Sequence, residues 1–163
     1  MSYRIDVVTD SVSEAVRHAG GLMFDCRRAG WKVVVITDDA ADSRALDILG
    51  VDVESPGGAE NRIPELEREN RTVLSAISAA TAAQKRGSLL GLRNQRLVWG
   101  QPVDSGWTSF RHPAPHALSP AARMFKAQAL YSAGLTSSVE DREHFWADSE
   151  TRAGSRAPMV VGR

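Results

Sequence analysis

The sequence predicts an α/β domain with a Rossmann-like βαβαβ start, built on a mostly parallel sheet of about four or five strands flanked by helices, with an α-rich C-terminal third. Three observations carry that expectation. Residues 3–8 and 32–37 are rich in β-branched apolar residues. The segment between them repeats its apolar residues with the period of a helix. Val33-Val34-Val35-Ile36 has no polar alternation, as expected of a strand covered on both faces in a parallel sheet.

Each element has its own signal. Ile5, Val7 and Val8 mark the first strand. Ser11-Val12-Ser13-Glu14 reads as a capping box, in which Ser and Glu satisfy each other's free backbone amides at a helix start. Val12, Val16, Ala19, Met23 and Cys26 follow at spacings of 4, 3, 4 and 3, which places them on one helix face. Gly20-Gly21 interrupts that helix, so close packing of helix on sheet is expected there as compensation. Arg27 and Arg28 suit the negative end of the helix dipole, and Gly30 ends the helix. After the second strand a short helix over about residues 42–49 turns Ala45, Leu46 and Leu49 inward, and Val51-Asp52-Val53 is a third strand. Short joins imply right-handed crossovers. This shape resembles the opening of many nucleotide-binding and glycosyltransferase-type domains over about a third of the chain, without a diagnostic motif.

Strand ends of similar outline recur: RIDVVTDSVSE at residues 4–14 and KVVVITDDAAD at 32–42. In a parallel sheet both Thr-Asp pairs reach the carboxyl edge, where open α/β sheets bind ligands. Asp10, Ser11, Asp38 and Asp39 are therefore the candidate ligand-binding residues, for a nucleotide or another small polar ligand. Three close carboxylates could instead hold Mg²⁺, which prefers oxygen ligands. The competing reading is helix capping, since Asp and Ser are favoured N-caps and Asp stabilises a helix N-terminus. The first turn, TDSVSEA, lacks the glycines of a dinucleotide fingerprint, and no phosphate-cradling P-loop motif occurs. A receiver-type phosphorylation site would need further Asp and Lys positions, where the third strand instead runs into Glu54-Ser55-Pro56.

Beyond Ser55-Pro56-Gly57-Gly58, the residues Ile63, Leu66, Asn70, Val73, Ile77, Ala80 and Gln84 recur at helical spacing. They predict a helix over 63–86, either lying across its own sheet or pairing with a second copy through a seam containing Asn70. Residues 95–99 read as a fourth strand. Lys85, Arg86, Arg93 and Arg96, near Trp99 and Trp107, form the most basic region. Basic and aromatic residues together can bind single strands, but no nucleic-acid signature accompanies them. Residues 102–117 read as a long irregular loop. His112 and His116 have the spacing of a metal pair, yet Pro113 and Pro115 prevent the helix that would align them. Asp104, Ser105 and His112 contain the residue types of a nucleophile set without a nucleophile elbow. Ser119-Pro120 opens a helix ended by Gly134, and Ser137-Ser138-Val139-Glu140 predicts another carrying Phe145 and Trp146.

Composition narrows the function classes. Twenty basic residues balance twenty acidic ones, so no overall field steers the chain to nucleic acid or an acidic membrane. Cys26 is the only cysteine, which excludes an intrachain disulfide and a cysteine metal cluster; no metal-binding residues are assigned. MSYRIDVVTD lacks a signal-peptide layout, and the apolar runs fall far short of the ~20 residues that span a bilayer. A cytoplasmic protein is expected, folded as one domain over 1–147 with a tail over 148–163. The leading expectation is a binding module for a nucleotide or other small polar ligand, without a recognisable catalytic motif and so leaning away from an enzyme. The alternatives are a regulatory or scaffold protein acting as a homodimer or on a protein partner through the 63–86 helix, and an Mg-dependent hydrolase or transferase.

Overall fold

The computed structural model describes residues 3–59, 70–80, 95–101, 110–136 and 138–148. β1 (Tyr3–Val8) leads into α1 (Val12–Arg28), β2 (Lys32–Ile36), α2 (Ser43–Leu49), β3 (Asp52–Glu54) and the single turn α3 (Pro56–Ala59). There follow β4 (Asn70–Ala76), β5 (Gln95–Trp99), β6 (Phe110–Pro113), β7 (His116–Ala117), α4 (Pro120–Ser132), β8 (Arg142–Glu143) and β9 (Trp146–Asp148). Seven strands form one sheet in the order β3-β2-β1-β4-β5-β9-β6, and β7 pairs separately with β8. The first five of the seven are parallel neighbours. β9 runs antiparallel to both β5 and β6. The architecture is a mixed α/β fold with a mostly parallel central sheet flanked by helices.

One face of the sheet is apolar. Ile5 and Val7 of β1, Val33 and Val35 of β2 and Leu74 of β4 belong to one core with Val12, Val16, Ala19 and Met23 of α1. The spacing read in the sequence for α1 is the face it buries. Gly20-Gly21 does permit a close approach, but to the C-terminal part of the chain rather than to the sheet. A Cβ on Gly21 would collide with Leu118, and one on Gly20 would come within 3.3 Å of Lys126. The Gly21 and Leu22 amides donate to the two Glu143 carboxylate oxygens at 2.7 and 2.8 Å, and Lys126 Nζ donates to the same carboxylate at 2.7 Å. This buried group thus has three donors, as a desolvated carboxylate requires.

The alternate residues of β1 face the other way and are charged. Asp6 is 0% exposed and accepts from Arg4 Nε at 2.7 Å. The Arg71 guanidinium pairs with the other Asp6 oxygen from β4. Arg4 and Arg71 are register partners across the two strands, so the Asp6 carboxylate bridges two guanidiniums that would otherwise repel, and Glu54 lies 3.6 Å from Arg4 as a second negative charge.

Several expectations are corrected. The helix over 63–86 is not formed across its middle. Residues 70–76 are strand β4, paired with β1 from Tyr3↔Asn70 to Val8↔Ser75, and residues 77–80 are helical; the remainder of 63–86 lies outside the described residues. The slot beside β1 offers seven residues a ladder on two sides, and tertiary pairing outweighs a local helical repeat. The C-terminal third is not α-rich among the described residues: from residue 110 it holds four strands and one helix. The helix expected after Ser137-Ser138 is replaced by β8 and β9, because Phe145 is buried in the core and Trp146 pairs with Val98. The loop at 102–117 is likewise β6 and β7 in its described part. Asp148 belongs to β9, while 149–163, the rest of the expected tail, lies outside the described residues.

No helix among the described residues is long and apolar enough to cross a membrane. Replacing Asp6 by Ala leaves two buried guanidiniums without their shared counter-ion. The expected cost is about 3–5 kcal/mol, measured by urea unfolding; a loss below about 1 kcal/mol would show the network to be solvated.

Candidate functional site

β2 and β4 flank β1 on opposite sides. The chain leaves β1 toward β2 and β3, then returns to place β4 on β1's other edge. Such a reversal opens a crevice at the carboxyl ends of the strands. A cleft of about 730 Å³ lies there. β1 supplies Val8, followed by Thr9 and Asp10; β2 supplies Ile36, followed by Asp38 and Asp39. Ala76, Ser78 and Ala79 line it from the end of β4, Glu14 from α1 and Pro56 from α3.

The Thr-Asp ends divide their labour. Thr9 Oγ1 donates to the Ser11 carbonyl at 2.9 Å and accepts from the Ser11 amide at 3.1 Å, which turns the chain into α1. Ser11 Oγ accepts from the Glu14 amide at 3.3 Å as N-cap. On β2, Thr37 Oγ1 accepts from the Asp39 amide at 3.0 Å. Asp39 then accepts from the Val12 amide and the Ala41 amide, each at 2.9 Å. The first of these crosses from the end of β2 to the first turn of α1. These amides, Val12 first and Ala41 second, hold the Asp39 carboxyl below the usual carboxylate range.

Three of the four residues singled out from sequence, Asp10, Asp38 and Asp39, line the cleft, whereas Ser11 does not. Ser11 and Asp39 serve as caps. Asp10 and Asp38 are exposed at the mouth.

Glu14 was read as the second half of a capping box, and that half is not made. The Ser11 amide is taken by Thr9, and Glu14 Oε1 instead accepts from the Trp99 indole Nε1 at 3.1 Å. The Trp99 ring stacks on the His18 imidazole, with centroids 5.9 Å apart and planes at 7°. Burial lowers the His18 pKa below 6.5; Lys126 and Arg17 lower it further while Glu14 opposes them. The signal available in the sequence was a Glu14–His18 pair one helical turn apart; its partner Trp99 is distant in sequence.

The other candidates separate. His116 Nε2 pairs with Asp25 at 2.9 Å, and Asp25 also accepts from the Ser119 amide at 3.1 Å, so that histidine anchors the start of α4. His112 sits in β6. Cys26 is a core residue whose thiol is pushed up to about 12 by burial, with Asp25 and Glu143 adding to the shift. Asp104, Ser105, Lys85, Arg86, Arg93 and Trp107 lie outside the described residues. Among the described residues no group of three or more His, Cys, Asp or Glu is placed to hold a metal ion. The described cleft donors are all oxygens, whereas zinc sites draw chiefly on nitrogen and sulfur. The described residues therefore do not assemble a zinc site, and they do not assemble the three-carboxylate Mg²⁺ site either.

No family model matches this sequence, and no curated protein matches it. Solved structures do. The A40926 pseudoaglycone deacetylase Dbv21 superposes with a TM-score of 0.60 at 14% identity, over 90% of this chain and 96% of that one. A deacetylase–teicoplanin complex gives 0.58 at 12% identity, over 88% and 97%. A zinc-inhibited form of teicoplanin deacetylase Orf2 gives 0.57 at 12%, over the same shares. This chain has the fold of these deacetylases. The match spans nearly the whole of both partners, and the partners are enzymes. It overturns the expectation of a binding module for a nucleotide or other small polar ligand that leans away from an enzyme, and with it the scaffold reading, whose 63–86 helix β4 replaces across its middle.

The capping role of Asp39 has a pH signature. A carboxylate whose folded pKa is depressed contributes stability above its unfolded value and loses it as pH falls through the folded value. The melting-temperature difference between wild type and Asp39→Asn is expected to be constant near neutral pH and to shrink as pH drops below the ordinary value of 3.8. A difference independent of pH across that range would remove the charge from the cap.

Proposed function

We propose that this chain is a hydrolase of the deacetylase kind, cleaving an N-acyl amide on a polar substrate held in the cleft at the carboxyl edge of the sheet. The observation that carries the reading is the position of a carboxylate-lined cleft at the strand-order reversal of a fold shared end to end with deacetylases. Amide hydrolysis adds water's oxygen to the acyl carbon and breaks the C–N bond. A proton passes from the water to the departing amine, leaving a carboxylic acid and a free amine. A positioned carboxylate can take that proton and return it. Asp10, Asp38 and Glu14 are the cleft carboxylates not committed to two backbone amides. Val8, Ile36, Ala76 and Pro56 give the same cleft an apolar side suited to an acyl group.

Teicoplanin and the A40926 pseudoaglycone, named for the matched structures, are the first substrates to try, followed by simple N-acetylated and N-acylated amino sugars. Deacylation is read by mass spectrometry as loss of the acyl mass and appearance of a free amine. It is run with added Mg²⁺, with added Zn²⁺ and with a chelator. Glu14→Gln combined with Asp10→Asn and Asp38→Asn, which removes every cleft carboxylate not committed to two backbone amides, is expected to reduce turnover by about 10²-fold or more. Absence of deacylation from every substrate under all three metal conditions would overturn the proposal.

A further inference from the structure

The four cleft carboxylates differ in how firmly they are held. Both Asp39 oxygens are engaged by backbone amides. Asp10 and Asp38 are exposed, and an exposed side chain is free to change rotamer. Glu14 is half-buried in the first turn of α1, and one of its oxygens is fixed by the Trp99 indole. That indole is itself clamped. Trp99 is 1% exposed at the end of β5, where it is register partner to Ala76 at the end of β4, a cleft residue. Its ring lies against His18, one turn after Glu14 on the same helix. Gly100, at φ +105°, turns the chain directly after it, a conformation that L side chains rarely adopt.

We infer that Trp99 is a positioning residue for Glu14, holding one carboxylate oxygen so that the other is presented to the cleft as the proton acceptor for water. The chemical role rests on the hydrolase reading above; the positioning does not. Indole N–H is a donor and never an acceptor, so the contact favours the ionised carboxylate, the form that accepts a proton. Burial disfavours the charged form of the His18 imidazole, as do Lys126 and Arg17, while Glu14 favours it. The ring packs flat on the indole. In the reaction Glu14 takes a proton from water as the water oxygen bonds to the acyl carbon. It returns that proton to the nitrogen as the C–N bond breaks.

Trp99→Phe removes the N–H and keeps the aromatic face against His18. Glu14 is followed by carboxyl-carbon NMR at neutral pH, assigned by its loss in Glu14→Gln. Loss of the donor should shift that resonance and lower kcat about tenfold, with KM little changed. A purely structural Trp99 would lower stability and leave the resonance and the folded variant's kcat unmoved. Glu14→Gln reads the pair from the other side: the Trp99 indole proton should move upfield and exchange faster, a measurement that does not need Trp99→Phe to fold. An unmoved Glu14 carboxyl resonance in folded Trp99→Phe, or an unmoved indole proton in Glu14→Gln, overturns the positioning. If both NMR results hold and wild type deacylates nothing, the positioning stands and the hydrolase reading falls.

Discussion

β1 has parallel partners on both sides, so the connections that follow β1 and its neighbour β4 depart from adjacent strand ends. The paired residues of both ladders end at Val8, and the Thr9 amide makes one last bond to the Ile36 carbonyl at 3.2 Å. Beyond it the backbone must find other partners, and buried amides without partners are costly. The chain answers with side chains: Thr9 closes the first turn, Ser11 caps α1, and Asp39 reaches from the end of β2 to the Val12 amide. Those side-chain bonds fix the walls of the cleft before any ligand is considered. The repeated Thr-Asp pattern is first a solution to this backbone problem, and Asp10 and Asp38 are the members it leaves over.

The order of the first three strands and two helices was legible because their apolar periods agreed with the faces they bury. β4 was not, since its residues satisfy two periods. Val73 and Ile77 fit a helical repeat, while Arg71, Thr72 and Val73 suit a strand, and pairing with β1 decides between them. The short strands after residue 110 were hidden for a different reason. Two- and three-residue strands carry too few side chains to display any period, and they exist because the sheet offers them partners. The cleft was legible as a place. Its inner carboxylate was not, because a Ser-x-x-Glu pattern has a local use that accounts for Glu14 fully, and only the fold brings Trp99 to it.

Two acids, half-buried Asp25 and buried Glu143, join the early and late parts of the chain. Asp25 receives His116 and Ser119, and Glu143 receives Lys126 together with two amides of α1. Each joins groups about ninety or more positions apart in sequence to one helix. An apolar contact there would tolerate sliding, but a carboxylate with three donors has one arrangement that satisfies it. The register of α4 against α1, and hence the placing of Lys126 near His18, follows from these contacts.

β9 lies inside the sheet, between β5 and β6, although it is the last described strand in the chain. A growing chain emerges from the ribosome in sequence order, and domains fold in that order where they can. Here β5 keeps an unpaired edge until residues 146–148 appear, and β6 cannot join the sheet before then. Open strand edges recruit other chains. The nascent chain therefore carries an open strand edge, a surface on which another chain could pair, until its last described strand has been made.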